Sequence, residues 1–386
     1  MDVATIHKDM AGEGSVPGIG DRERLSRWLA SALGRPREAG GTGGTGEAGR
    51  PGEAAELRDI QLIVGGRSNL TYRMEFGGRR LVLRRPPLGH VLPTAHDMSR
   101  EYRILTALRG TDVPVPGPVA FCDDLEVIGT PFYVMEHVPG VVLRTRDDTA
   151  RLSGPQAREL SLRLAGMLAA IHAVDLAGTG LTGLGRGAGY LRRQLERWQR
   201  QWELSATREL PAYDQLVARL KAALPDDGGV TLVHGDFRLD NTLVTIAREP
   251  RIEAVVDWEM ATLGDPLADL GLTLTYWTDP GERGWLSAAD ATDRPGLWEP
   301  TATAGFLTRA EFAARYAELT GRDLSQITYY MAFGCFKLAV VLEGINARYL
   351  QRKTVGEGFE REGAAVPFLI ARAHEVLDSG SLGVPR

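Results

Sequence analysis

A chain of 386 residues with 43% hydrophobic content has material for two or three packed domains. Its 45 basic and 50 acidic residues leave a net charge of −5, which excludes capture of nucleic acid or a membrane surface by bulk electrostatics. Two cysteines, Cys122 and Cys335, lack C-x-x-C spacing, which argues against a metal knuckle or a disulfide framework and fits a reducing cytoplasm.

No N-terminal segment reads as a signal peptide. The longest apolar stretch, 331–342, is shorter than a bilayer span and contains Lys337, so no membrane partner is expected. Only Lys8, Lys221, Lys337 and Lys353 are lysines; the other 41 basic residues are arginines.

Along the chain, Leu25, Trp28, Leu29 and Leu33 recur at helical spacing over 21–34, and a Gly-rich stretch that reads as a flexible linker follows. Substantial packing is expected to start near Leu57. From there to about 137 the text is strand-like: "IQLIVGG", "NLTYRMEF", "RRLVLRR", then a helix at "HDMSREYRILTALRG" and two more strands, the last ending in "PFYVMEHV". After Pro139-Gly140 it turns helical. The expected fold class is α+β: a tail at 1–56, a small antiparallel-sheet lobe at 57–138, and a larger, mainly helical lobe at 139–386. Ligands commonly bind in clefts between such lobes.

The segment "LVHGDFRLDNTLV" (232–244) sets His234, Asp236, Arg238, Asp240 and Asn241 between apolar runs. Two β-like runs follow, and the second ends in "DWEMATLGDPLADLG". If they pair as a hairpin centred on Glu249, Asn241 faces Asp257, which brings two hard oxygen ligands suited to Mg²⁺ together. Asp236 projects from the preceding loop. Phosphoryl transfer needs such a division: metal ligands for nucleotide phosphates, and a carboxylate that accepts the proton of an attacking hydroxyl. For Asp240 and Asp265 a turn or helix-cap role suffices.

"HGD" followed five residues on by Asn, then a hairpin and "DWE", resembles the aminoglycoside phosphotransferase and choline kinase group, which has a protein-kinase-like bilobal fold. "GGRSNLTY", "LVLRRPP" and "VVDWEMATLGDPLADLG" are together similar to the phosphotransferase-like domain attached to some acyl-CoA dehydrogenases. The resemblance covers about 57–350. It implies ATP and Mg²⁺ as cofactors, Asp236 as catalytic base, Asn241 and Asp257 as metal ligands, and Glu259 as a helper at a second metal. It also implies that His234 buttresses the loop and that Asp269 stabilises it from the next helix.

At the nucleotide end, Gly65 and Gly66 in a turn between strands let backbone N–H groups approach phosphates, and Ser68 adds a hydroxyl; an ordinary hairpin turn fits the same residues. Strand alternation puts Val82 and Arg84 on one face in the V-A-I-K pattern, so Arg84 stands where kinases carry lysine, with Glu101 as its partner. Arg85 reads as an exposed strand-end arginine. By the resemblance, the carbonyl of Glu136 and the N–H of Val138 meet adenine.

In "GYLRRQLERWQRQWE", Tyr190, Leu191, Gln194, Leu195, Trp198 and Trp202 form a stripe that suits either a core face or an acceptor wall. Arg192, Arg193, Arg197 and Arg200 form a basic run, which suits an anionic acceptor such as a hydroxyacyl-CoA better than a polycationic aminoglycoside. The expected function is transfer of the γ-phosphoryl group to a small-molecule hydroxyl. The alternatives are a nucleotide-binding regulator without turnover and an aminoglycoside kinase.

Overall fold

The computed structural model describes residues 16–34, 56–63, 69–88, 97–226, 228–282, 299–352 and 362–382. The Gly-rich stretch read as a linker and the turn residues Gly65, Gly66 and Ser68 lie outside the described residues. The chain divides into two compact units, one formed by residues up to Arg109 plus Val115–Val138, the other by Gly110–Pro114 plus Pro139–Arg386.

In the first unit, helix α1 (Arg22–Gly34) precedes strands β1 (Leu57–Leu62), β2 (Leu70–Phe76) and β3 (Arg79–Arg85), helix α2 (Met98–Leu108), and strands β4 (Pro118–Cys122) and β5 (Phe132–Glu136). The strands form one antiparallel sheet in the order β1-β2-β3-β5-β4. Gly77 and Gly78, both at positive φ, close the β2–β3 hairpin as a two-residue turn whose twist matches the strands. Tyr72, Met74 and Phe76 alternate inward on β2, while central β3 buries Leu81, Val82 and Leu83 in succession.

Packing begins earlier than Leu57. Ile19, Leu25 and Leu29 are fully buried in the same core as Phe132 and Val134, and the Trp28 ring meets Phe132 edge-on at 4.8 Å. The segment before α1 is tied to the sheet: Tyr72 Oη donates to Pro17 O at 2.5 Å, and the Arg85 guanidinium donates to Gly18 O. Arg85, expected at the surface, is therefore 7% exposed. Its charged head reaches the backbone carbonyls of Gly18 and Pro86, a placement that strand alternation does not reveal.

The second unit contains α3 (Gly154–His172), α4 (Tyr190–Ser205), α5 (Pro211–Ala222), strands β6 (Thr231–Val233), β7 (Thr242–Thr245), β8 (Arg251–Val255) and β9 (Thr262–Gly264), then α6 (Pro266–Tyr276), α7 (Arg309–Thr320), α8 (Ile327–Leu350) and α9 (Glu362–Ser379). Two antiparallel ribbons, β6–β9 and β7–β8, interrupt the helices. A reciprocal Ser153/Gln156 capping box and Pro155 start α3.

The apolar stretch judged too short for a bilayer extends into the 24-residue α8, which by length and composition could cross one. In this fold 83% of its most apolar window is buried, mainly against α6 and α9, so it is the unit's core helix. A Cβ at Gly271 would lie 2.4 Å from the Tyr330 backbone, so glycine is what lets α6 and α8 approach so closely.

Candidate active site

After β6 the chain turns at Gly235 with φ +81, where a Cβ would lie 2.6 Å from Met260 O; only glycine fits. The two N–H groups of this turn are held from α6. His234 N donates to Asp269 Oδ2 at 2.6 Å and Gly235 N to Asp269 Oδ1 at 2.8 Å. Burial raises the pKa of Asp269, but the hydrogen bond and charge of His172, together with His234, more than offset this and bring it below the usual carboxylate value. His172 Nε2 lies 3.3 Å from Asp269 Oδ2, and its Nδ1 lies 2.6 Å from Tyr316 Oη.

His234 is fixed on both sides. Its Nδ1 accepts from Asp236 N at 3.3 Å, which assigns the proton to Nε2, and Nε2 donates to Val256 O at 3.0 Å. The loop is thereby linked to the end of the β7–β8 hairpin.

The Asp236 side chain, 25% exposed, is approached from three directions. Asn241 Nδ2 donates to Asp236 Oδ2 at 3.0 Å and to its backbone O at 2.8 Å. The Tyr276 hydroxyl hydrogen-bonds to it; burial, then Asp236 itself, raises the pKa of Tyr276 well above the ordinary value, so the phenol remains a donor. Arg238 Nε lies 3.6 Å from Asp236 Oδ2 and 3.0 Å from Asp240 Oδ1, with its guanidinium 4.8 Å from the Tyr276 ring centroid. Burial works against the charge of Arg238, yet Asp236, Asp240, Tyr276 and Asp257 outweigh it and keep the group protonated. Burial pushes the Asp240 carboxyl up, and Arg238 opposes that. Asp240 is thus an ion-pair partner as well as a turn residue. Asp265 caps α6 through Leu267 N at 2.9 Å.

The hairpin register differs from the symmetric one. Thr242 pairs with Val255 and Leu243 with Ala254, but Val244 pairs with Ile252, which leaves Glu253 as a bulge. Ala254 and Val255, in regular register beyond the bulge, are both fully buried, so both faces of the ribbon are covered at this end. Asn241 faces Val256, whose N–H donates to Asn241 O at 3.0 Å, and Asp257 lies one residue farther out. There the backbone takes φ +68 and enters a 3₁₀ turn, Trp258–Met260. The fully buried Trp258, with its ring 4.6 Å from that of His234 and its Nε1 donating to Val255 O, accounts for the kink at Asp257.

Asn241 donates its amide protons to two Asp236 oxygens, so its Oδ1 is turned away from both. Asp257 and Glu259 are half-buried. Among the described residues no group of three or more His, Cys, Asp or Glu could hold a metal. Mg²⁺ typically takes one or two carboxylates and completes its shell with phosphate oxygens and water, so an amide oxygen plus one carboxylate fits it.

In the first unit Arg84 Nε meets Glu101 Oε2 at 3.1 Å, with side chains 12% and 2% exposed, and Nη1 reaches Thr71 Oγ1 at 3.5 Å. Glu136 ends β5; its N–H donates to Gly117 O at 2.8 Å and its carboxylate lies 3.4 Å from Arg79. Val138 follows, half-buried.

On α4 the stripe is largely a core face: Leu191, Leu195, Trp198 and Trp202 are buried. Of the basic run, Arg192, Arg197 and Arg200 are exposed, while Arg193 donates to the carbonyls of Arg186 and Ala188 and staples its own loop. Sequence reasoning gave no role at the site to Arg238, Tyr276, His172 or Lys337. Arg238 lies inside the motif. Tyr276 is forty positions from Asp236, with no local signal. His172 ends an amphipathic helix, and Lys337 was visible only as a lysine in an arginine-rich chain.

A five-stranded antiparallel sheet followed by a mostly helical unit that carries this loop defines a kinase-like phosphotransferase fold. The signature of the phosphotransferase enzyme family (APH) matches residues 59–306, and the chain belongs to that family. It is 36% identical to "Acyl-CoA dehydrogenase family member 11" of Gallus gallus over 86% of this chain and 40% of that one, and 37% identical to "Acyl-CoA dehydrogenase family member 10" of Mus musculus over 74% and 26%. It therefore spans less than half the length of these relatives. A putative aminoglycoside phosphotransferase from Ralstonia eutropha JMP134 superposes with a TM-score of 0.73 at 31% identity, covering 93% of this chain and 98% of that one. A thermostable mutant of aminoglycoside phosphotransferase APH(4)-Ia, in ternary complex with AMP-PNP and hygromycin B, shares the fold with a TM-score of 0.54 at 16% identity over 84% and 95%.

Proposed function

We propose that this protein is a cytoplasmic, ATP- and Mg²⁺-dependent kinase of a small-molecule alcohol, with hydroxyacyl-CoA and related hydroxy acids as the first acceptors to test. One observation carries the reading: Asp236 is held by Asn241 and Tyr276 on a loop whose backbone is anchored to buried Asp269. That is the preorganisation expected of a general base.

In this reading Asp236 accepts the proton of the acceptor hydroxyl as its oxygen attacks the γ-phosphorus, and the bond from that phosphorus to the bridging oxygen of ADP breaks. Asn241 and Asp257, with Glu259 nearby, are the residues that would hold Mg²⁺, which supplies charge neutralisation at the phosphates when bound. Arg84, oriented by Glu101, would take the nucleotide phosphates as a lysine does in related kinases. Glu136 and Val138 would meet the base through their backbone groups.

The acceptor class is supported by the names of the acyl-CoA dehydrogenase relatives and by the exposed Arg192, Arg197 and Arg200. Neither nucleic acid nor membrane is assigned as a partner. The test is incubation of the full chain with ATP, Mg²⁺ and a panel of hydroxyacyl-CoA, hydroxy acids, polyols and aminoglycosides, with products resolved by mass. A phosphomonoester of a hydroxyacyl-CoA or hydroxy acid is expected. Exclusive modification of aminoglycosides, or transfer to none of the panel, would contradict the proposal.

A further inference from the structure

Asp269, which anchors the turn ahead of Asp236, is itself reached by a line of buried polar groups from helices α3 and α7. His172, the last residue of α3, brings Nε2 to 3.3 Å from Asp269 Oδ2, and its Nδ1 lies 2.6 Å from the hydroxyl of Tyr316 on α7. The same hydroxyl is hydrogen-bonded by Arg322, whose Nη1 also donates to Gly228 O at 3.1 Å. Asp269, His172 and Tyr316 are all buried, so bulk water does not compete for these bonds.

The direction of each bond follows from which groups can donate. A guanidinium carries only donors, so Tyr316 Oη accepts from Arg322. Burial raises the pKa of this phenol, against the charge of Arg322, and the hydroxyl keeps its own proton. Among the described residues its only remaining partner is His172, so that proton is donated to Nδ1. The Asp269 carboxylate only accepts, and its two oxygens already take the N–H groups of the turn. His172 therefore carries its ring proton on Nε2 and donates it to Asp269.

The lengths of the two bonds to His172 differ. The one to Tyr316 is short, at 2.6 Å, and the one to Asp269 long, at 3.3 Å, so the ring is held chiefly from the tyrosine side. Without that hydroxyl, Nδ1 would be a buried acceptor with nothing to accept, and the ring would be free to turn away from Asp269.

We infer that Tyr316 is a positioning residue for the proposed base: its hydroxyl orients the His172 ring, and through His172 and Asp269 it holds the turn that carries Asp236. The inference rests on the reading of this loop as a kinase site. It extends that site to helix α7, which carries none of the residues assigned to catalysis or metal binding.

The test is Tyr316→Phe in the full chain. The substitution keeps the ring that meets His172 edge-on at 5.6 Å and removes only the hydroxyl. Nitrogen NMR of histidine-labelled wild type, with His172 assigned by its loss in His172→Gln, is expected to show a protonated Nε2 and a strongly hydrogen-bonded, unprotonated Nδ1. In Tyr316→Phe the Nδ1 signal should move to the position of a nitrogen that accepts no bond. Hydrogen exchange in the peptide spanning His234–Asp236 should speed up by about tenfold or more. With an acceptor in hand, kcat should fall about tenfold while KM for ATP stays unchanged. In the His172→Gln background, where the line is already cut, Tyr316→Phe should cost little further.

A tyrosine that merely packed would lower the melting temperature and leave turn exchange and kcat as they are. That result overturns the inference, as does a wild-type His172 protonated on Nδ1, or losses that add in the double variant. Where thermal melting shows Tyr316→Phe to be misfolded, the wild-type nitrogen spectrum decides. Failure of the kinase reading would instead appear as absence of transfer by wild type, with the NMR and exchange results as expected.

Discussion

The His234–Asp236 loop and the hairpin that follows it are held in contrasting ways. The loop is fixed by buried partners: Asp269 takes two of its N–H groups, His234 links it to Val256, and Lys337 takes the Gly235 carbonyl. The mouth of the hairpin is shaped by backbone geometry, with a bulge at Glu253 and a left-handed residue at Asp257 that turns the chain so that Trp258 can enter the core. The difference shows two ways to place a carboxylate. Asp236 is positioned by hydrogen bonds made around it, and Asp257 by a strained conformation of its own residue.

Breaking the loop's anchor should have the larger effect on stability. Asp269→Ala leaves the His234 and Gly235 N–H groups without their acceptor, and each orphaned donor costs about 1–3 kcal/mol. Chemical denaturation should therefore show a loss of roughly 2–6 kcal/mol, with transfer activity falling in parallel. Because the pKa of Asp269 is lowered in the folded state, its contribution is fully present above the unfolded aspartate value of about 3.9 and is lost as pH falls through the lower folded value. Below about pH 4 the stability of wild type should decline more steeply than that of Asp269→Asn, as read by denaturant midpoints along an acid series.

The hairpin should respond differently. Asn tolerates the left-handed region well, so Asp257→Asn should keep stability within about 0.5 kcal/mol of wild type while shifting the Mg²⁺ dependence of transfer to higher concentration. A large stability loss in this variant would erase the contrast between the two regions.

Most of the fold was legible because its signals are local. Period-2 alternation marks β2, a Gly-Gly pair closes its turn, and the spacing from HGD to Asn to DWE orders the loop and the hairpin. The misses have physical causes. The hairpin bulge at Glu253 shifts the register by one to two residues, which a symmetric count about Glu249 does not register. Helix α1 is separated from its sheet by a Gly-rich stretch, so nothing nearby tells that Leu25 and Leu29 join that core. Tyr276 and Lys337 reach the loop, and His172 reaches its anchor Asp269, from helices distant in sequence, and such contacts are set by tertiary packing. The Arg84–Glu101 pair was readable because strand alternation fixes one partner and the following helix supplies the other.

The central claim, that Asp236 is the general base of a phosphoryl transfer, is tested most directly by comparing transfer rate, nucleotide affinity and melting temperature between wild type and Asp236→Asn. The account predicts a rate lower by about 10²–10⁴-fold with the other two nearly unchanged. A variant that transfers phosphate at the wild-type rate would contradict it.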